Sequence, residues 1–170
     1  MKKCCAFGHR ELYRNIDEDL KGIIIKLIEN EGVTMFMTGG IGQTDGKFSS
    51  IVRGLKLTYK QIKLVLVKPY FSGELNTNKE YYEIMYDDVI IPDELAGCHY
   101  KSAITKRNRW MIDECDYVID CTYRDFGGAV NAINYAKRTN KNVLEIKNKA
   151  LIQERIRAKS CVELLVLKVG

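Results

Sequence analysis

The sequence predicts an α/β protein with a Rossmann-like, doubly wound, mostly parallel sheet and helices on both faces. Strand-like and helix-like hydrophobic blocks alternate along the chain, and such alternation is typical of βαβ units. Glycine clusters follow several of the strand-like blocks, as expected where strands of an open sheet end beside a ligand. The 170 residues are enough for one domain with a sizeable core.

The elements are assigned in chain order from the spacing of their apolar residues. Residues 2–7 predict a short buried strand, and residues 17–31 predict a helix because their apolar residues recur at helical spacing. Asp17 is expected to cap this helix and Gly32 to end it. Further strands are predicted over 33–38, 62–68, 87–92, 116–122 and 142–146, and further helices over 45–60, 79–86 and 100–114 and from residue 127 onward, with 69–78 as a loop.

The two ends of the chain differ in character. Residues 1–148 carry the alternating pattern and are predicted to form one Rossmann-like domain. Residues 149–170 are predicted to be an extension packed on the same domain, with a basic helix over 149–159 and an edge strand over 162–169.

Composition excludes several classes of protein. With 46% hydrophobic and 29% charged residues, the chain is not a disordered, collagen-like or coiled-coil sequence. No stretch approaches the roughly 18 apolar residues that a membrane span needs, and the first apolar run ends at residues 8–10, too early for a signal peptide. We therefore expect a cytoplasmic protein that does not bind membranes. The net charge of +5 favours a phosphate-bearing partner only weakly.

The six cysteines are expected to be small buried side chains rather than metal ligands. No two form a C-x-x-C pair, and His9 and His99 lie far apart, so the paired ligands of a zinc site are missing. Cys98 and His99 are adjacent, but two neighbours on one backbone rarely close a site alone. The sequence thus predicts no metal and, without secretion, no disulfide framework.

Three loops with glycines are expected to meet at one edge of the sheet, because ligands of open α/β sheets bind beyond the carboxyl ends of the strands. Glycine turns and helix N-termini present backbone N–H groups that favour anions. Each glycine cluster alone is equally consistent with a tight turn, since neither G-x-G-x-x-G nor the P-loop pattern is matched. The candidate binding residues in these loops are Gly8, His9, Arg10, Gly39, Gly40, Gly42, Asp45, Gly127 and Gly128.

Three motifs together resemble the SLOG superfamily, the Rossmann-like group of the Smf/DprA and LOG proteins. They are Phe-Gly-His-Arg at 7–10, Arg-Asn-Arg-x-Met at 107–111 and Gly-Gly at 127–128. Residues 4–10 are similar to the YpsA-like branch of small bacterial and phage proteins. The resemblance covers residues 2–146 and implies a Rossmann-like domain that holds a phosphate-bearing ligand.

The same resemblance bears on catalysis. LOG enzymes cleave the N-glycosidic bond of cytokinin nucleotides with a helix arginine and a glutamate of a Gly-Gly-x-Gly-Thr-x-x-Glu motif. The arginine matches Arg107, but Ala132 stands where the glutamate would be and Ala129 replaces the threonine. Glycosidic cleavage needs a carboxylate, so a binding protein is favoured. In an enzyme, Arg107 and Asp45 would be the candidate catalytic residues.

The resemblance assigns roles to the polar residues. Arg107 and Arg109 are expected to pair with phosphate oxygens. Asn108 and Asn131 are expected to hydrogen-bond a ribose or base, and Asp45 to accept ribose hydroxyls. Candidates for stacking a base are Tyr100, Tyr70-Phe71 and Tyr81-Tyr82, although packing of a lid or a dimer is the preferred interpretation of these aromatics.

These observations predict a sensor or sequestering module for a nucleotide or an NAD-derived ligand such as ADP-ribose, with no further cofactor required. One alternative is an N-glycosidase, or phosphoribohydrolase, acting on a nucleoside monophosphate. Another is binding of single-stranded DNA, as in the DprA branch. A homodimer is expected by analogy with related Rossmann domains.

Overall fold

The computed structural model describes residues 1–146, so the predicted extension over 149–170 lies outside the described residues. Strands and helices alternate as the hydrophobic pattern indicates, and a short 3-10 helix (Asp93–Leu95) precedes the fifth helix. The elements are β1 (Lys2–Gly8), α1 (Asp17–Glu29), β2 (Val33–Thr38), α2 (Gly42–Leu55), β3 (Lys63–Val67), α3 (Gly73–Thr77), α4 (Lys79–Met85), β4 (Asp88–Ile90), α5 (Tyr100–Glu114), β5 (Tyr117–Cys121), α6 (Gly128–Arg138) and β6 (Asn142–Glu145).

The six strands form one sheet in the order β4-β3-β2-β1-β5-β6. Every pairing is parallel, and the predicted Rossmann-like, doubly wound architecture is confirmed. The chain builds outward from β1 to β4 and then returns to the other side of β1 with β5. The neighbouring strands β1 and β5 are therefore the topological switch point, where ligands of such sheets bind.

Helices cover both faces of the sheet because successive strand side chains point to opposite faces. In β1, Cys4 and Ala6 belong to a core that also contains Leu20 of α1 and Phe48 of α2. The alternate residues of β1 face a second core, formed with α5 and α6, whose members include Cys5, Phe7, Met111, Ile112, Ala132 and Ile133. The sheet is thus buried between two helical layers, and β1 runs through the middle of the molecule.

The cysteines of the described chain are mostly core residues. Cys4, Cys5, Cys115 and Cys121 are buried free thiols, and Cys98 is half-buried. Burial raises the pKa of both Cys4 and Cys5 well above the ordinary value. No helix within residues 1–146 combines the length and the apolar character that a membrane crossing requires.

The start of α1 differs from the prediction. Asp17 is the first helical residue and Ile16 takes the cap position, while the Asn15 side chain accepts the Asp17 N–H at 2.9 Å. Gly32 has a φ of +70°, but the helix has already ended at Glu29.

Three other predicted elements also differ. The helix predicted over 45–60 is α2, which begins at Gly42 and ends at Leu55. The loop predicted over 69–78 contains the short helix α3. The spacing of Ile104, Met111 and Ile112 predicts that all three lie on the inner face of the helix over 100–114. Met111 and Ile112 are buried on α5, whereas Ile104 is 37% exposed.

Candidate functional site

A cleft of about 450 Å³ opens at the carboxyl ends of β1, β2 and β5. Its walls come from the loops after these strands and from one face of α5, so it lies at the switch point of the sheet. The predicted loops therefore do meet at one edge. The candidate residues that line the cleft are Gly8, His9, Arg10, Gly39, Asp45, Arg107, Asn108, Gly127 and Gly128.

The remaining candidates lie elsewhere. Arg109 is exposed and its guanidinium lies over the ring of Tyr135, 5.4 Å from the centroid. Asn131 is exposed on α6, one turn beyond the cleft. Gly40 in the turn before α2 has a φ of +68°, Gly42 at the start of α2 has a φ of +86°, and neither lines the cleft.

Arg107 is the most buried charged residue of the cleft, with 3% of its surface exposed. Its Nη1 donates to the carbonyl oxygen of Val67 at 3.2 Å and lies 3.8 Å from the sulfur of Met111. Its Nε is buried and has no hydrogen-bond partner among the described residues. Burial lowers the pKa of Arg107, while the nearby Asp45 carboxylate opposes that effect. Arg107 is therefore a buried cation with unused donor capacity.

Gly39 provides the space for this guanidinium. A Cβ at Gly39 would overlap Nη1 of Arg107 and would stand 2.5 Å from Cζ and 2.7 Å from Nη2. The guanidinium thus lies directly against the backbone at the end of β2, a position that any larger residue would fill. The glycine in this loop has a packing role that depends on an arginine of a distant helix.

Asp45 lies in the first turn of α2, beside Arg107. Its Oδ2 accepts the backbone N–H of Ile41 at 2.8 Å, so the carboxylate satisfies a donor at the start of its own helix. Burial raises the pKa of Asp45, whereas the Ile41 N–H and the charge of Arg107 act in the opposite direction. Among the described residues, Asp45 attracts Arg107 without forming a salt bridge to it.

The loop after β1 is held by contacts to both neighbouring loops. The Nε2 atom of His9 accepts the backbone N–H of Arg124 at 3.1 Å, and its ring meets the ring of Tyr123 edge-on at 4.5 Å. The Thr44 hydroxyl donates to the carbonyl oxygen of His9 at 2.9 Å. A Cβ at Gly8 would stand 2.6 Å from Cγ2 of Thr44, so only glycine lets α2 approach β1 this closely. His9 thus ties the loops after β1 and β5 together.

The turn before α6 is open. Gly127 has φ +110° and ψ 174°, a conformation that is reserved for glycine. A Cβ at Gly127 or Gly128 would meet nothing within 4 Å. The first turn of α6 carries no acidic residue, and the first N–H groups of any helix lack partners within it. This helix terminus faces the cleft with a partial positive charge.

Several cleft residues were not among the sequence candidates. They are Phe7, Glu11, Ile41, Ile104, Arg124, Phe126 and Ala129, of which Phe126 is 71% exposed. Their position directly beside predicted residues, as in the Phe126-Gly127 pair, is the signal that could have found them. The three arginines of the cleft, Arg10, Arg107 and Arg124, outnumber its two acids, Glu11 and Asp45.

The position of the LOG glutamate carries no acid here. Ala132 is 4% exposed and packs in the core between α6 and the sheet, away from the cleft lining. The carboxylates that do line the cleft are Asp45 on α2 and Glu11 after β1. The cleft thus contains the arginine and the glycine turn to which the resemblance assigns anion binding, and it lacks the glutamate that LOG chemistry uses.

A parallel, doubly wound sheet with a cationic cleft at its switch point defines a Rossmann-like α/β domain. The solved structures that are similar to this chain have the SLOG-type fold. DprA from Streptococcus pneumoniae superposes with a TM-score of 0.63 at 15% identity, covering 93% of this chain and 56% of that chain. The molybdenum cofactor binding protein from Rippkaea orientalis superposes with a TM-score of 0.56 at 18% identity, covering 99% of this chain and 98% of that chain.

DprA from Helicobacter pylori, described by its single-stranded DNA binding mode, gives a TM-score of 0.58 at 18% identity. It covers 85% of this chain and 64% of that chain. These identities show the fold alone, and the sequence-based resemblance to the SLOG superfamily is confirmed at that level.

Sequence relatives agree with this placement. The uncharacterized SPbeta prophage-derived protein YoqJ of Bacillus subtilis (strain 168) is 27% identical over 139 residues, 73% of this chain and 81% of the relative. The UPF0398 protein of Oenococcus oeni is 31% identical over 96 residues and supports the YpsA-like branch. That match covers 55% of this chain and 51% of the relative, about half of its length. No protein-family model matches the chain.

Proposed function

We propose that the chain binds a nucleotide or an NAD-derived ligand of ADP-ribose-like chemistry in this cleft and acts as a sensor or sequestering module. The observation that carries the proposal is Arg107, a buried cation whose Nε has no acceptor among the described residues. It lies in the same cleft as the open N-terminus of α6.

A buried charge is costly unless it is paired and hydrogen-bonded. Asp45 offsets part of this cost electrostatically, but its Oδ2 already accepts the Ile41 N–H. An anionic group in the cleft would supply the missing acceptors, and arginine pairs with phosphate oxygens in a planar, two-pronged geometry. The N–H groups of Gly128 and Ala129 at the start of α6 would contribute further donors.

The test compares two arginines of one helix. Arg107→Met removes the buried cation and keeps much of the side-chain volume, whereas Arg109→Met removes an exposed cation that lies over Tyr135. Wild type and both variants are screened by thermal shift with AMP, ADP-ribose, NAD and a short single strand of DNA. A ligand at one hundred times its dissociation constant stabilises by about 2.7 kcal/mol, which is a shift of roughly 5–11 °C for this size.

We expect a shift with one of the nucleotides that Arg109→Met retains and Arg107→Met loses. A cooperative melting transition of each variant without ligand shows that it is folded. Arg107→Lys is a further control, because lysine keeps the positive charge and lacks the planar guanidinium that pairs with two phosphate oxygens. An unchanged shift in Arg107→Met, or no shift with any of the small molecules, contradicts the proposal.

Single-stranded DNA binding is the second candidate, favoured by the similarity to the DprA folds and by the exposed cations Arg10 and Arg124 at the cleft. It predicts an affinity that falls steeply with salt, because phosphate contacts release counterions. A DNA affinity that is independent of salt removes this candidate. Free base released from a nucleoside monophosphate, and lost in Asp45→Asn, would instead support the N-glycosidase alternative.

A further inference from the structure

The mouth of the cleft carries exposed apolar side chains beside its cationic groups. Ile41 and Ile104 are each 37% exposed and Phe126 is 71% exposed. They come from three different parts of the fold, the turn before α2, the face of α5 and the loop before α6, yet all three line the same cleft. Ligand pockets typically combine apolar walls with a few well-placed polar groups, so this combination indicates more than an anion site.

The apolar side chains stand next to the anion-binding groups in the chain as well as in space. Phe126 immediately precedes Gly127, which begins the open turn of α6. Ile104 lies three residues before Arg107, and residues at that spacing share one face of a helix. A ligand whose anionic group meets Arg107 and the α6 terminus would therefore have its adjoining part against Ile104 and Phe126.

The other exposed aromatics of the described chain do not line the cleft. Tyr100 is 67% exposed, Phe71 60%, Tyr81 53% and Tyr70 50%. Together with the buried Tyr82, these were the residues that the sequence offered for stacking a base, and the exposed Tyr13 does not line the cleft either. Phe126 is the exposed aromatic that the fold brings to the cleft, whereas Phe7 at the inner wall is a buried core residue.

We propose that Phe126 and Ile104 form a ring-binding subsite, so that the ligand of the cleft carries a planar nucleobase together with its anionic group. This inference rests on the proposed function and adds to it the residues that hold the base of the ligand. A base stacked on Phe126 is expected to gain affinity in the range that base–aromatic stacking provides, about five- to 150-fold. Inorganic phosphate or a bare sugar phosphate would use only the anion site.

The experiment measures affinities by calorimetry for AMP, ADP-ribose and ribose 5-phosphate. The variants are Phe126→Ala and, as a matched control, Tyr100→Ala, which removes an aromatic of similar exposure away from the cleft. Phe126→Ala should weaken binding of the base-bearing compounds by about tenfold and leave ribose 5-phosphate within about twofold of wild type. Tyr100→Ala should change none of the three affinities.

A second readout reports the contact directly. Phe126→Trp places an indole at the mouth of the cleft, and AMP or ADP-ribose should quench its fluorescence while ribose 5-phosphate should not. The melting temperature of each variant checks that it is folded. It should stay close to that of wild type, because a side chain as exposed as Phe126 contributes little to stability.

The outcomes separate this inference from the proposed function. If ribose 5-phosphate binds in an Arg107-dependent way but AMP and ADP-ribose bind no more tightly, the anion site stands and the ring subsite is overturned. Equal weakening of all three compounds by Phe126→Ala also overturns it, because the residue would then act only through the Gly127 turn. If none of the compounds binds wild type, both the proposed function and this inference fail.

Discussion

The turns that precede α2 and α6 both contain adjacent glycines, both lead from a parallel strand into a helix, and both reach the same cleft. The turn before α2 is filled by the protein itself. The carboxylate of Asp45 accepts the Ile41 N–H, the carbonyl oxygen of Arg10 accepts the Gln43 N–H, and the guanidinium of Arg107 lies against Gly39. The turn before α6 is not filled in this way. The first turn of α6 has no acidic residue, and a Cβ at Gly127 or Gly128 would meet nothing within 4 Å.

The difference separates two reasons for a glycine, a side-chain position that another residue occupies and a backbone conformation that only glycine adopts. Glycine at 39 is needed because another part of the chain occupies the place of its side chain. Glycine at 127 is needed because of its own backbone angles, and the space above it is free. An external anion can therefore use the N–H groups of α6 far more readily than those of α2, whose terminus already has a carboxylate of its own.

Gly39→Ala is expected to have the largest effect on stability. The new Cβ would overlap Nη1 of Arg107, so the buried guanidinium must move and lose its hydrogen bond to Val67. We expect a loss of about 1–3 kcal/mol in the free energy of unfolding, measured by urea denaturation, together with loss of ligand binding.

Gly46→Ala is the control for this change, because a Cβ at Gly46 in the interior of α2 meets nothing within 4 Å. It should be neutral or should stabilise by up to about 1 kcal/mol, since alanine favours a helix over glycine. Equal stability of Gly39→Ala and wild type would mean that the turn before α2 is not filled by Arg107.

Gly127→Ala is expected to have the second-largest effect on stability. Its Cβ has free space, so the cost arises from the backbone angles alone, φ +110° and ψ 174°. Strain of this kind costs on the order of 1–3 kcal/mol, and a shift of the loop that carries Phe126 could relieve part of it. The measurement is the change in melting temperature, about 2–4 °C per kcal/mol for a chain of this size. An unchanged melting temperature would contradict the strained geometry of this turn.

Much of the fold could be predicted because hydrophobic spacing is a local signal. The bounds of β2 and α5 agree with the predicted ranges 33–38 and 100–114. The meeting of the loops also follows from the sequence, since parallel strands end at one edge of a sheet. The predicted start of α2 at residue 45 was three residues late, because the helix begins at Gly42 within the glycine cluster and Asp45 lies in its first turn.

The site was harder to predict because its distinguishing contacts are long-range. Nothing near Gly39 in the sequence says that Arg107 will occupy the space beside it. Arg107 and Arg109 could have been separated, because residues two apart on a helix do not share a face. Met111 shares the face of Arg107, as their 3.8 Å contact shows. The homodimer and the cytoplasmic location stay predictions.

Gly128→Ala sharpens the comparison by separating stability from binding. Gly128 is the first residue of α6 and a Cβ there meets nothing within 4 Å, so stability should change by less than about 1 kcal/mol and rise if it changes. The methyl group would nevertheless stand in the cleft, which Gly128 lines. We expect weaker nucleotide binding at unchanged melting temperature. Unaltered affinity would mean that the ligand does not approach the α6 terminus.

The smallest expected effect concerns the carboxylate that fills the α2 terminus. Burial raises the pKa of the Asp45 carboxyl group above its ordinary value of 3.8. The folded state therefore keeps the carboxyl proton of Asp45 at pH values where the unfolded state has lost it. The stabilising contribution of the protonated Asp45 is therefore fully present below pH 3.8, and it is lost as the pH rises through the raised pKa of Asp45. Urea denaturation of wild type and Asp45→Asn at a series of pH values should show a difference in stability that declines across this window and is level above it.

Arg107 determines where that window ends. Its positive charge lowers the pKa of Asp45, so in an Arg107→Met background the pKa of Asp45 rises further and the decline extends to higher pH. An anion bound at Arg107 would act in the same direction, because it neutralises the charge that Asp45 faces. A difference between wild type and Asp45→Asn that is flat with pH would show that folding does not raise the pKa of Asp45. A window that Arg107→Met leaves in place would show that the two side chains are not electrostatically coupled. The contrast between the two turns would then rest on the hydrogen bond from the Ile41 N–H to Asp45 and on the space around their glycines, without a contribution from the charge of Arg107.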